Sequence, residues 1–137
     1  MAILLDGSAI LAAADTADLN HAAAVAWFRR ADEPLLIGAL TLGDLDIVLQ
    51  RELGQAASLA VVESIVGGAI RLVSPVEADL VRAAELLREA GEHRPRLADA
   101  LIIATAERLG VRRIATFDRR PMAVFRPRHV RALDLEP

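Results

Sequence analysis

Apolar residues in this chain fall into blocks of two lengths. Four short runs, at residues 2–5, 35–38, 70–73 and 113–116, are each too short for a helix and end at polar or turn-forming residues. Such runs read as buried strands. A fifth run, Val130–Leu135, reads as an edge strand. The longer blocks between them carry helical spacing. Ser8 is placed to cap a short helix over 9–14, and Asp18 a helix that ends near Arg30, before Asp32 and Pro34. Thr41 opens a helix to about Leu53, Gly54 stops it, and another follows over 55–66 up to Gly67 and Gly68. Ser74, Pro75 and Glu77 have the spacing of a capping box ahead of a helix to about Ala90, with Gly91 as its stop. Glu92–Arg96 is a polar loop. Leu97–Leu109 is apolar on most faces, so it is a buried helix ended by Gly110, and 119–124 is a turn or short helix.

Short apolar strands separated by helices predict an α/β fold: one domain over 1–137, with a central, mainly parallel sheet of about five short strands and helices on both faces. The absence of a Gly-x-Gly-x-x-Gly motif argues against a dinucleotide-binding version.

Four aspartates stand where strands end or helices begin in this plan. Asp6 follows the first strand, Asp44 and Asp99 lie at the starts of apolar helices, and Asp118 follows the fourth strand. In an open α/β sheet those positions share one edge, where ligands bind. Each also has a local explanation. Asp6 suits a helix N-cap, Asp44 stands three residues after Thr41 as in a capping box, and Asp118 suits a turn paired with a neighbouring arginine. Asp99 is the hardest to explain locally, because a carboxylate in an apolar segment needs a partner. Asp46 would face another side of its helix and is the weaker ligand candidate. Four carboxylates without cysteine or a clustered histidine favour Mg²⁺ or Mn²⁺ over Zn²⁺. His21, His93 and His129 are widely separated and read as surface residues.

Composition narrows the chemistry. Every basic residue is an arginine. Without lysine the chain is a poor candidate for a P-loop NTPase, a receiver domain or a haloacid-dehalogenase-type phosphatase, all of which rely on one. Cysteine is absent, so there is no disulfide framework or thiolate metal site. The apolar runs are too short to cross a membrane and the N-terminus lacks a basic leader, which predicts a cytoplasmic protein. The net charge of −3 is unevenly spread. Residues 1–93 hold six arginines against fourteen acids, whereas residues 94–137 hold ten against five. A basic segment beside an acidic site suits a phosphodiester substrate.

The sequence around these aspartates resembles the PIN domain, and within it the VapC-type toxins of bacterial toxin–antitoxin pairs. The resemblance rests on Leu4-Leu5-Asp6-Gly7-Ser8, on Thr41 to Asp46, on Leu97 through Asp99 to Gly110, and on Ile114 through Thr116 to Asp118 and Arg120. It implies a Mg²⁺-dependent endoribonuclease, with Mn²⁺ as an alternative, that cuts tRNA or ribosomal RNA. It also implies a homodimer neutralised by a VapB-type antitoxin. Asp6, Asp99 and Asp118 would hold the metal with Asp44 completing the shell, and Ser8 and Thr116 would tie down the carboxylates. Arg94, Arg96, Arg119 and Arg120 are the candidates for RNA phosphates. Two positions depart from the family pattern: Gly7 replaces a small polar residue, and Asp44 replaces the usual glutamate. A non-catalytic RNA- or protein-binding module and a phosphatase of small phosphate esters are the alternatives on the sequence alone.

Overall fold

A computed structural model describes all 137 residues. Five parallel strands form one sheet: β1 (Ile3–Leu5), β2 (Leu35–Gly38), β3 (Arg71–Val73), β4 (Arg113–Ala115) and β5 (Asp134–Glu136), in the order β3-β2-β1-β4-β5. The register sets Leu5 beside Ile37 on one side and Ala115 on the other, so the carboxyl ends of β1, β2 and β4 are level. The order reverses at β1, whose neighbours β2 and β4 are reached by connections that diverge from it. A crevice opens at such a switch point, outside the carboxyl ends of the strands.

Alternation along the strands divides the core in two. Ile3, Leu5, Ile37 and Ala115 face one layer, while Leu4, Leu36 and Ile114 face the other. The first layer holds α1 (Gly7–Ala14), α2 (His21–Arg30), α3 (Ala39–Glu52) and α4 (Gln55–Val66). The second holds α5 (Glu77–Ala90), α6 (Leu97–Leu109) and the short α7 (Arg119–Val124). Residues Ala100–Ala106 of α6 are all buried, as its apolar composition predicts. Gly110 ends that helix in a left-handed conformation (φ 68°), and Val111 N–H donates to Ala106 O across the turn.

The α/β class, the parallel sheet of five strands and the two helical layers agree with the sequence pattern. The details that differ are mostly helix starts. Asp6, not Ser8, is the N-cap residue of α1. Asp18 accepts from Asn20 N–H at 2.7 Å in a turn before α2, which starts at His21. Strand β2 runs straight into α3, whose N-cap is Gly38, so Thr41 and Asp44 both lie inside the helix. The N-cap of α5 is Val76, two residues after Ser74. Valine has no side-chain acceptor, and the cap is supplied from within the helix by Asp79, whose Oδ2 accepts from Val76 N–H at 3.1 Å. The last strand is Asp134–Glu136, later and shorter than the run at 130–135 suggests. Gly91–His93 forms a 3₁₀ turn at the start of the polar loop.

Candidate active site

Asp6 follows directly on β1, and its N–H donates to Ala115 O of β4 at 2.9 Å, one step beyond the paired strands. Although it is the N-cap residue of α1, its carboxylate makes no capping bond. Instead Oδ2 accepts from the Ser8 hydroxyl at 2.6 Å and from the Thr116 hydroxyl at 2.8 Å. Both hydroxyls also accept a backbone N–H. Ser8 Oγ takes Phe117 N–H and Thr116 Oγ1 takes Asp118 N–H, each at 3.0 Å. Each hydroxyl has one proton to give and a lone pair to receive, so both are satisfied with their protons on Asp6. The turn carrying Asp118 is thereby tied to Asp6, and Thr116, fully buried, is the knot.

Asp99 lies in the first turn of α6. Its Oδ2 accepts from Arg96 N–H at 3.0 Å, supplying from inside the helix the cap that Arg96 cannot. Burial is the main cause raising the Asp99 carboxyl above the ordinary aspartate range. The Arg96 N–H opposes that rise, and the negative charges of Asp6 and Asp118 add to it. The charges of Asp6 and Asp118 thus reach Asp99. Asp44 projects from the second turn of α3, and Arg96 donates to its Oδ2 through a terminal guanidinium nitrogen. The helix-cap explanation of Asp44 is removed, since the helix starts five residues earlier.

All four aspartates line one cavity of about 750 Å³. Gly7, Ser8, Leu45 and Val48 lie along its α1–α3 side, and His93, Arg94, Arg96 and Arg120 along the α6–α7 side. An acidic floor thus meets a basic margin. Arg119 does not line the cavity; it donates to Pro137 O, so the structure separates it from the other three arginines. Asp46 also lies outside, holding the Ser58 hydroxyl between α3 and α4.

His93, which reads as an ordinary surface residue in sequence, lines the cavity. His129 is more engaged than its polar surroundings suggest: Nε2 lies 2.5 Å from Val111 O and Nδ1 is buried without a partner. No sequence signal links Arg96 to Asp44, because they are 52 residues apart. At Gly7, an added Cβ would meet Leu45 at an ordinary contact distance of 3.6 Å, so space does not account for the glycine.

The donor set is all carboxylate and the margin is all nitrogen. The acidic side chains do not close into a three-ligand cage. A donor set of oxygens alone suits a hard divalent cation held by one or two carboxylates with water filling the shell.

Comparison with known proteins agrees with this geometry. The sequence matches the PIN domain over residues 3–126. It is 31% identical over 125 residues to ribonuclease VapC26 of Mycobacterium tuberculosis, covering 91% of this chain and 93% of that protein. Among solved structures, VapC20 of M. tuberculosis, described as a sarcin–ricin-loop-cleaving toxin, superposes with a TM-score of 0.82 at 22% identity, covering 94% and 98% of the two chains. VapBC2 from Rickettsia felis, solved with a DNA fragment from its promoter, gives a TM-score of 0.69 at 13% identity over 99% and 98%. The match spans both strand ends that carry Asp6 and Asp118 and the helix that carries Asp99, and by it the chain belongs to the PIN domain family.

Proposed function

We propose that this protein is a Mg²⁺- or Mn²⁺-dependent endoribonuclease, the toxin of a type II toxin–antitoxin pair. The observation that carries the reading is the convergence of Asp6, Asp99 and Asp118 at the sheet's switch point, in a cavity edged by Arg94, Arg96 and Arg120. The similarity to a mycobacterial ribonuclease over nine-tenths of both chains supports the activity.

Asp6, Asp99 and Asp118 would hold the cation directly or through water, and Asp44 is the fourth acid of the site. The cation, when bound, supplies a water of lowered pKa and neutralises charge on the phosphoryl oxygen. The protein's own contribution is placement. Ser8 and Thr116 fix the Asp6 carboxylate and the Asp118 turn, so little reorganisation is needed when substrate arrives. A carboxylate of the set orients the attacking water. The margin arginines attract the RNA backbone and hold its phosphates. No Phe, Tyr or Trp side chain lines the cavity, so recognition rests on backbone and shape more than on base stacking. The substrate we infer is tRNA or ribosomal RNA.

A VapB-type antitoxin is the inferred partner, consistent with the structural likeness to a VapBC protein. We further infer a homodimer acting in the cytoplasm; no helix is long and apolar enough to cross a membrane. The deciding experiment is cleavage of purified tRNA and ribosomal RNA with Mg²⁺, with Mn²⁺ and in EDTA, beside Asp6→Asn and Asp99→Asn. Cation-dependent cleavage that both variants lose is expected. Cleavage unchanged in both, or indifferent to EDTA, would sink the reading.

A further inference from the structure

Arg96 touches two of the four acids at once. Its backbone N–H serves Asp99, and its guanidinium reaches across the cavity mouth from the start of α6 to Asp44 on α3. As a stabilising ion pair this is poorly built. The Arg96 side chain is 70% exposed and gives Asp44 a single terminal nitrogen. Exposed pairs of that kind contribute little net stability. The structural arginines behave differently: Arg82, Arg108 and Arg113 each place two or more nitrogens on carboxylates. The Nε and second terminal nitrogen of Arg96 have no protein acceptor. A guanidinium fixed at one corner, with its other donors free in a cavity that Arg94 and Arg120 also line, is equipped to take a phosphate.

Asp44 stands apart from the other acids in the same respect. The charges that raise Asp99 are those of Asp6 and Asp118. Asp44 already has a positive partner, which a cation at Asp44 would have to displace. We propose that Asp44 is a positioning residue, which holds Arg96 toward a backbone phosphate of the RNA while Asp6, Asp99 and Asp118 take the cation. The pair persists in the cation-bound protein. This rests on the ribonuclease reading above and assigns Asp44 a different part in it.

The sign of one measurement separates the possibilities. On charge alone, Asp44→Asn removes a negative group from the cavity and should tighten RNA binding. If Asp44 positions Arg96, the same change weakens it. Binding of a fluorescein-labelled RNA hairpin in EDTA gives that sign for Asp44→Asn, Arg96→Ala and the double variant. Expected are weaker binding in each single variant and a double variant no weaker than Arg96→Ala alone. The slope of log Kd against log salt should fall by about one in Arg96→Ala. Uptake of Mn²⁺ alone, followed by electron paramagnetic resonance, should fall at least about tenfold in Asp6→Asn and stay within about twofold in Asp44→Asn. Tighter RNA binding by Asp44→Asn, or a loss of Mn²⁺ as steep as in Asp6→Asn, would overturn the proposal while wild-type cleavage left the ribonuclease reading standing. A wild-type protein that takes up no Mn²⁺ and cuts no RNA would remove both.

Discussion

Thr116 gives its hydroxyl proton to Asp6 at 2.8 Å, across 110 positions of sequence. The bond joins the ends of β1 and β4, the two strands that flank the switch point of the sheet. Because the same oxygen accepts Asp118 N–H, one buried hydroxyl sets two of the acids. Thr116→Val keeps the shape and removes both bonds. It should cost about 1–3 kcal/mol in denaturant unfolding, the penalty for buried polar groups left without a partner. Cleavage should fall about 10–100-fold, as for other residues that orient metal-binding carboxylates. Thr116→Ser, which keeps the hydroxyl, should recover most of the activity. A Thr116→Val protein with full activity would show that Ser8 alone fixes Asp6.

Asp99 sets activity against stability. Its ionised form is disfavoured by burial and by Asp6 and Asp118, and the Arg96 N–H only partly offsets this. Asparagine retains a carbonyl acceptor for that N–H and loses the charge. In EDTA, Asp99→Asn should therefore melt about 1–3 °C above the wild type at neutral pH, a small gain because water screens the half-buried site. The same variant should cut no RNA. A lower melting temperature would mean that the favourable interaction of the carboxylate with the start of α6 outweighs the repulsion.

A second network, far from the cavity, governs acid stability. Burial alone would raise Asp79, but the Arg108 guanidinium and the Val76 N–H outweigh it and hold its carboxyl below the ordinary range. Glu107 is lowered in the same way, burial being overcome by Arg82 and the Arg128 N–H. For both, the folded protein favours the ionised form. The unfolded chain takes up protons first as pH falls, so the stabilisation is present above about pH 4 and drains away below it. Arg108→Ala strands the Asp79 carboxylate, which is 2% exposed. That should cost on the order of 2 kcal/mol at pH 7 and flatten the dependence of unfolding free energy on pH between about 5 and 3. Urea titrations at the two pH values would check it, and an unaltered slope would exclude Asp79 as a source.

The fold was legible because its signals are chemical and local. Short apolar runs, breaking glycines and the buried helix Leu97–Leu109 survive nearly unchanged in the structure. Helix starts were misplaced by two or three residues, too late at α1 and α3 and too early at α2 and α5. Ser8, Asp18, Thr41 and Ser74 all attracted the capping reading, whereas the N-cap residues are Asp6, Asn20, Gly38 and Val76. None of these four makes a side-chain capping bond. At α1 the would-be capping groups are directed into the site: Ser8 binds Asp6, and Asp6 faces the cavity. At α3 the strand passes into the helix without a loop, so no capping residue intervenes. The four aspartates could be named because each follows a readable element. The Arg96–Asp44 pair could not, since it depends on how α3 and α6 approach one another. The contact of Arg119 with Pro137 O was hidden for a similar reason, since it depends on where the end of β5 comes to lie.

Glu136 joins the edge of the sheet to the site. Its carboxylate is held below the ordinary glutamate range by Arg113, against the opposing effect of burial and with help from Trp27. Arg113 engages both of its oxygens, and the indole N–H of Trp27 donates to Oε2 at 2.9 Å. Its backbone oxygen accepts Thr116 N–H at 2.6 Å, so the strand that carries it also abuts the residue that holds Asp6. Trp27 is the only tryptophan in the chain, so the intrinsic tryptophan emission comes from the ring that meets Glu136. Glu136→Gln leaves one carbonyl for three N–H donors and removes the charge. It should cost about 1–2 kcal/mol, the range for hydrogen bonds to a charged group that are partly replaced. In the wild type, emission should change as Glu136 takes up a proton below the ordinary glutamate range, and the change should vanish in Glu136→Gln. Cleavage should fall less than in Thr116→Val, because the bond from Thr116 N–H to the Glu136 backbone does not need the carboxylate. Equal losses in the two variants would mean instead that β5 leaves the sheet when the side-chain contacts are broken, and amide exchange at Thr116 would then rise in step.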